Sequence, residues 1–251
     1  MPPKTKNAVP KPDNTVKDPM VNPYELKSMK KYIPCQKNVS KHLHEMSAIF
    51  RSVVCGATGS GKTSYVTNLL NRYQNHFNRC IIFTAESEPI YDWLQSQIPS
   101  DMLQVYYNDL SPLEGDLKDF FYGSTLVILD DMVTKNKRQL IPVIDLFIRG
   151  RKLHNGVSLC FLTQSYFDIP PIIRKQLNYC VLVKINTNGD LRRILAESSL
   201  NCTKEQLYKM YDYCCNTGFG NVMTIDKQSK HNEGKTFRRN FLEFLDPNDF
   251  N

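Results

Sequence analysis

The chain has 251 residues, of which 41% are apolar, and a formal net charge of +7. That is enough apolar material for one large domain core, with or without a tail. No apolar run approaches the roughly 18 residues of a membrane-spanning helix, and the Pro- and Lys-rich start lacks the apolar centre of a secretory signal, so the sequence reads as a soluble intracellular protein.

In chain order, residues 1–31 carry six prolines, many lysines and almost no periodicity, the pattern of a disordered basic arm. Residues 1–41 hold nine lysines against three carboxylates, a net +6, so the rest of the chain is near neutral. Such an arm suits nucleic acid, an acidic protein surface, or plain solvation. Residues 32–251 form the folded domain. Residues 32–48 are its entry, with Tyr32 and Ile33 able to dock on it. An apolar run, Ile49 to Cys55, enters Gly56-Ala57-Thr58-Gly59-Ser60-Gly61-Lys62-Thr63, followed by Ser64. Val66, Leu69, Leu70, Tyr73 and Phe77 then recur at helical spacing. Cys80–Thr84 reads as a central strand, Pro89–Ile98 as a helix containing Trp93, and Leu103–Tyr107 as a strand. Thr125–Leu129 is an apolar strand running into Asp130-Asp131. Lys137–Arg151 is a helix with Leu140, Ile144, Phe147 and Ile148 on one face. Val157–Leu162 is a buried strand ending at Thr163-Gln164. A helix from Pro170 to Leu177, a strand from Tyr179 to Ile185 and helices over Leu191–Glu197 and Thr203–Cys214 come next. The chain closes with a strand from Gly220 to Asp226, a polar loop over 227–236 and a last strand from Phe237 to Leu245. Strands alternating with helices predict an α/β fold, a mostly parallel sheet sandwiched by helices.

Residues 56–63 satisfy every position of the phosphate-loop pattern G-x-x-x-x-G-K-[ST], in the strand–loop–helix setting that the motif needs. Glycines let the backbone turn tightly and aim N–H groups at one point, and the helix adds its positive end. Residues 56–64 are therefore the expected ATP cradle, with Lys62 on the β- and γ-phosphates and Thr63 on Mg²⁺. A carboxylate at the end of an apolar strand can hold Mg²⁺, which suits Asp130, and the next residue, Asp131, can act as base on the attacking water. The alternative for both is a strand capped by turn-forming Asp. Gln164, polar at the end of a buried strand, can sense the γ-phosphate and position the water; the alternative is ordinary strand-end polarity. Of the eight cysteines, Cys55, Cys80, Cys160 and Cys180 lie in or beside apolar runs and Cys214-Cys215 in a helical pattern. No paired C-x-x-C spacing supports a zinc site, so they read as reduced core thiols.

The set Gly56–Thr63, Leu126-Val127-Ile128-Leu129-Asp130-Asp131-Met132 and Val157–Phe167, ending in Thr163-Gln164-Ser165-Tyr166-Phe167, resembles the FtsK–HerA superfamily. Within it the nearest resemblance is to the genome-packaging ATPases of poxviruses, other large DNA viruses, virophages and Polinton-like elements. The resemblance spans about residues 49–185. It implies a RecA-like, additional-strand P-loop core, in which the strand ending in Gln lies between the phosphate-loop strand and the Asp strand. It also implies a homo-oligomeric ring of five or six copies that moves double-stranded DNA into a viral capsid, in which one copy's arginine completes its neighbour's site. The stretch Ile148-Arg149-Gly150-Arg151-Lys152 is the candidate, with Arg149 and Arg151 equally eligible; as helix-end cations they also suit plain solvation. The implied partners are double-stranded DNA and viral capsid proteins. The implied setting is an infected cell, in a cytoplasmic virus factory or the nucleus, or a virion. Many relatives carry Asp-Glu where this chain has Asp130-Asp131, which shortens the reach of the second carboxylate. Lys135-Asn136-Lys137-Arg138, Arg174-Lys175 and Arg192-Arg193 are short basic clusters that suit either DNA phosphates or a solvated face. A nucleotide kinase and a nucleotide-binding capsid scaffold are the rival readings.

Overall fold

In the computed structural model, residues 46–73, 76–132, 140–229 and 234–251 are described. The basic arm over 1–31, most of the entry segment with Tyr32 and Ile33, and the cluster Lys135-Asn136-Lys137-Arg138 lie outside them.

Nine strands among the described residues form one sheet in the order β3-β2-β4-β5-β1-β6-β7-β8-β9. The strands are β1 (Arg51–Cys55), β2 (Arg79–Thr84), β3 (Leu103–Tyr107), β4 (Thr125–Asp130), β5 (Val157–Thr163), β6 (Tyr179–Leu182), β7 (Met223–Asp226), β8 (Phe237–Arg239) and β9 (Glu243–Leu245). The six from β3 to β6 are parallel, and β7, β8 and β9 extend the sheet antiparallel. The strand ending in Gln164 thus lies between the phosphate-loop strand β1 and the Asp strand β4, as the resemblance implies.

Alternation explains how both faces are covered. Val53, Ile81, Phe83, Val127, Leu129, Leu159 and Phe161 point to one side. They meet Leu117 of α3 (Leu117–Phe120), Val143, Leu146 and Phe147 of α4 (Ile141–Arg149), Leu191 and Ile194 of α6 (Gly189–Glu197), and Leu207 and Met210 of α7 (Lys204–Cys215). Val54, Ile82, Leu126, Ile128, Cys160 and Leu162 point to the other, against Tyr65, Val66 and Leu69 of α1 (Lys62–Arg72) and Tyr91 and Leu94 of α2 (Pro89–Gln97). Because successive side chains in a strand face opposite ways, near-continuous apolar runs bury on both sides. Seven of the cysteines are free thiols, six of them buried in this core.

Several elements differ from the sequence reading. α4 buries Val143 and Leu146 with Phe147, while Ile148 is exposed, because the helix meets the sheet one residue out of phase with the expected face. Phe77 lies beyond the end of α1 and stacks on Tyr73 at 5.1 Å. The helix opened by the prolines is only α5 (Pro171–Arg174). β6 stops at Leu182 because the next backbone groups serve other partners: the Lys184 carbonyl accepts from Ala57 N and Ile185 N donates to the Tyr211 hydroxyl. The expected last strand is a hairpin, β8 and β9, reversed at Asn240, whose φ of 55° is a left-handed turn that Asn tolerates.

Candidate nucleotide-binding site

Parallel strands bring all their C-terminal ends to one edge, and the site lies along it. Gly56 N donates to the Thr163 carbonyl at 3.1 Å, Asp131 N to Leu162 at 3.2 Å and Ala57 N to Lys184 at 2.7 Å. The ends of β4, β5, β1 and the segment after β6 are thereby laced together. The phosphate loop then turns through two left-handed glycines, Gly59 at φ 70° and Gly61 at φ 103°, a conformation that L side chains rarely adopt. Gly61 is also the N-cap of α1 and makes no side-chain cap, so the first N–H groups of the helix remain available to an anion. Lys62, only 8% exposed, curls over the loop and donates from Nζ to the carbonyls of Gly56 at 3.1 Å and Ala57 at 3.3 Å.

Asp130 is buried at the end of β4 and accepts a short hydrogen bond from the Tyr91 hydroxyl. Burial pushes its pKa up to about 6; the Tyr91 bond opposes the rise, the Glu88 and Asp131 carboxylates add to it, and Lys62 opposes it. Tyr91 titrates far above its usual range, chiefly through burial and then through Asp130, and so stays a donor. Thr63 donates from Oγ1 to Glu88 Oε2 at 3.2 Å. Thr63 is thus joined to Glu88, and Glu88 lines the same cleft as Asp130; hydroxyl and carboxylate oxygens are the hard donors that suit Mg²⁺.

Asp131 takes a left-handed conformation, φ 48°, immediately after the strand, and Gln164 Nε2 reaches its Oδ2 at 3.4 Å. The two line an open cleft of about 720 Å³ with Thr58, Thr84, Glu86, Glu88, Asp130 and Asp168. The Asp168 pKa is raised by partial desolvation and by the Asp190 and Asp131 carboxylates. Behind Gln164, the buried Asp190 accepts from Ser165 Oγ and Tyr166 N, both at 2.9 Å, and so fixes where the turn leaves β5.

The structure therefore brings together Gly56–Ser64, Asp130, Asp131 and Gln164. It does not bring Arg149 or Arg151 to the same chain's cleft. Arg149 is exposed and pairs with Asp145 at 2.8 Å. Arg151 is near enough to Arg51 to lower that guanidinium's pKa, after burial itself. Arg51 opens β1, so this stretch lies at the strand-start edge of the sheet, opposite the phosphate loop. Arg174 is 4% exposed, bidentate to Glu197 and bonded to the Ile169 carbonyl, so it is a core ion pair with no free face for DNA. Arg193 pairs with the same Glu197 and lies over the Phe167 ring, and Arg192 donates to the Tyr208 hydroxyl. Sequence reasoning missed Glu88, Tyr91, Asp168 and Asp190. Glu88 was findable: it follows the strand beside β4 and precedes a helix-opening proline, so it had to face the crevice. Tyr91 carries no such mark, since its spacing is that of a core residue.

A family model described as Poxvirus A32 protein matches residues 40–236. No curated protein matches the chain. Among solved structures, the DNA-packaging ATPase B204 of Sulfolobus turreted icosahedral virus is 17% identical, with a TM-score of 0.53 over 76% of this chain and 96% of that one. The genome packaging NTPase B204 of Sulfolobus turreted icosahedral virus 2, in complex with ATP-gammaS, is 20% identical, with a TM-score of 0.54 over 78% of this chain and 98% of that one. EssC (ATPases 2 and 3) from Geobacillus thermodenitrificans is 13% identical, with a TM-score of 0.52 over 73% of this chain and 38% of that one. At these identities the likeness is one of fold. The family match covers well over half of the sequence and contains the phosphate loop, the Asp pair and the Gln-ended strand: the chain belongs to the Poxvirus A32 protein family.

Proposed function

We propose that the chain is an ATP-hydrolysing motor that translocates double-stranded DNA and packages a viral genome into a capsid. The observation that carries this reading is the convergence of three strand ends, β1 with its phosphate loop, β5 with Gln164 and β4 with Asp130-Asp131, on one cleft. Family membership and the solved packaging ATPases of like fold support it.

The loop N–H groups and Lys62 bind the phosphates of ATP, and Lys62 exchanges its carbonyl partners for them. Thr63 and Asp130 would hold Mg²⁺, with Glu88 beside Thr63, and the ion would supply charge neutralisation to the bound phosphates. Asp131 accepts the proton of the attacking water, and Gln164, within reach of Asp131, orients that water and registers the γ-phosphate. Beyond Lys62, the residues that line the cleft include no Lys or Arg to meet charge that develops in the transition state, so an arginine of a neighbouring copy, Arg149 or Arg151, would complete the site. Assembly is then a ring, and DNA is gripped through its phosphates without reading sequence. The basic arm over residues 1–31 is an appendage to the ATPase domain, the motor's partners are DNA and capsid proteins, and its setting is the infected cell or the virion.

Lys62→Ala tests the chemistry. The variant is expected to lose ATP hydrolysis by a factor of about a hundred or more, since it removes a cation from the phosphates. Phosphate transfer to a nucleoside by the wild type would make it a kinase. Equal turnover by wild type and variant, with DNA present, would leave only a nucleotide-binding scaffold.

A further inference from the structure

Two open spaces flank the phosphate loop, and only one holds the hydrolytic groups. β1 lies between β5 and β6. On the β5 side is the cleft of Asp130, Asp131 and Gln164. On the β6 side is a second pocket of about 520 Å³, formed by the loop backbone over Ala57–Ser60, by Val183 and Lys184, and by the segment Cys215–Asn221 that joins α7 to β7. Thr58 lines both. A nucleotide whose γ-phosphate sits on the β5 side must run its α-phosphate, ribose and base the other way.

Phe219 stands out in this second pocket. It is 80% exposed, the most exposed large apolar side chain among the described residues. It sits between Gly218 and Gly220, and Gly220 is left-handed at φ 75°. Its ring nonetheless lies against the phosphate loop: a Cβ added to Gly61 would be 3.6 Å from Phe219 Cζ and 3.0 Å from Gly220 Cα. An aromatic face held beside a phosphate site, open to solvent and flanked by glycines, suits stacking on a planar base. Ser60, in the wall of the same pocket, has its Oγ buried beside Gly56 with no hydrogen-bond partner among the described residues.

We infer that the pocket between the phosphate loop and the segment 215–221 is the nucleobase subsite, and that Phe219 stacks on the base of the bound nucleoside triphosphate. The inference rests on the ATPase reading above. It also bears on selectivity. Around the pocket, Asn216 Nδ2 donates to Asp212 at 3.1 Å, Asn221 Oδ1 accepts from Asn240 Nδ2 at 3.1 Å, and the neighbouring Thr217 hydroxyl accepts from Arg239 at 2.8 Å. Stacking is tolerant of base identity because every base has a π-face, so the Phe219 contact itself discriminates little between ATP and GTP.

Equilibrium binding to the full chain tests this with three ligands, ATP, GTP and inorganic tripolyphosphate, on wild type, Phe219→Ala and Phe219→Trp. The expected result is that Phe219→Ala weakens ATP and GTP by about tenfold, as loss of one stacking partner does. Tripolyphosphate affinity stays unchanged, Phe219→Trp restores purine binding, and wild-type ATP and GTP affinities agree within about tenfold. Unchanged ATP affinity in Phe219→Ala overturns the inference, as does an equal loss for ATP and tripolyphosphate, which would make Phe219 a prop for the loop. A fall in oligomer mass with unchanged nucleotide binding also overturns it and makes the ring a contact between copies. A wild type that binds neither ATP nor tripolyphosphate overturns the ATPase reading together with the inference, whereas loss limited to the Phe219 comparison leaves that reading standing.

Discussion

Asp130 carries the tightest constraint in the site. Its carboxyl is buried, bonded to Tyr91 and flanked by Glu88 and Asp131, and its pKa rises to about 6 from the usual carboxylate range. A group bound to its proton more tightly in the folded state contributes stability that is fully present below about pH 4 and lost as pH rises through about 6. A shift of roughly two units corresponds to about 3 kcal/mol. Denaturant unfolding of metal-free protein is therefore expected to show Asp130→Asn gaining about 3 kcal/mol on the wild type between pH 4 and pH 7. A difference that does not change over that window would mean that the burial of Asp130 carries no such cost. At pH 7 the carboxylate is ionised, and the proposed Mg²⁺ would offset the cost by pairing with it. The same crowding of carboxylates explains why Thr63 and Glu88 meet in the protein by itself: the hydroxyl gives one of several acidic groups a donor.

At the scale of elements, strands were the most legible part of the sequence. Their apolar runs bury on both faces, so they stand out without needing a phase, and β1, β2, β3, β4 and β5 lie within a residue or two of where the residues place them. Helix faces were less legible. Ile148 has the spacing of a buried residue, but α4 is set by Val143, Leu146 and Phe147 against β5 and neighbouring strands, a choice made by tertiary packing. The hairpin of β8 and β9 was missed because one asparagine, Asn240, reverses the chain without a glycine or proline to announce it. α7 shows a local rule that does act as the sequence suggests: Thr203 accepts from Gln206 N at 3.2 Å and the Gln206 side chain accepts from Thr203 N at 2.8 Å, a complete capping box. Thr203→Ala is expected to lower unfolding stability by about 1 kcal/mol in denaturant titration, with ATP hydrolysis at saturating nucleotide unchanged. A loss of hydrolysis with stability intact would tie α7 to the chemistry through the segment that follows it.

At the scale of the molecule, the division of the site follows from topology. Parallel strands put Gly56, Asp130 and Gln164 on one edge of the sheet, while Arg149 and Arg151 lie toward the edge where the strands begin. A residue at that edge cannot serve its own cleft, but it can serve the cleft of a copy packed against it. The proposed hydrolytic half of the site was legible because each part is a motif at a strand end. The segment 215–221 was not, because Gly218-Phe219-Gly220 reads as a connector until the fold lays it against the phosphate loop. The measurement that tests the central claim most directly is ATP turnover, with and without duplex DNA, on the same samples whose oligomer mass is determined. Stimulation of turnover by DNA, confined to the assembled fraction and abolished by removing both Arg149 and Arg151, is the predicted result. Monomers that hydrolyse ATP as fast as assembled protein, or assembled protein that is indifferent to DNA, would contradict the account.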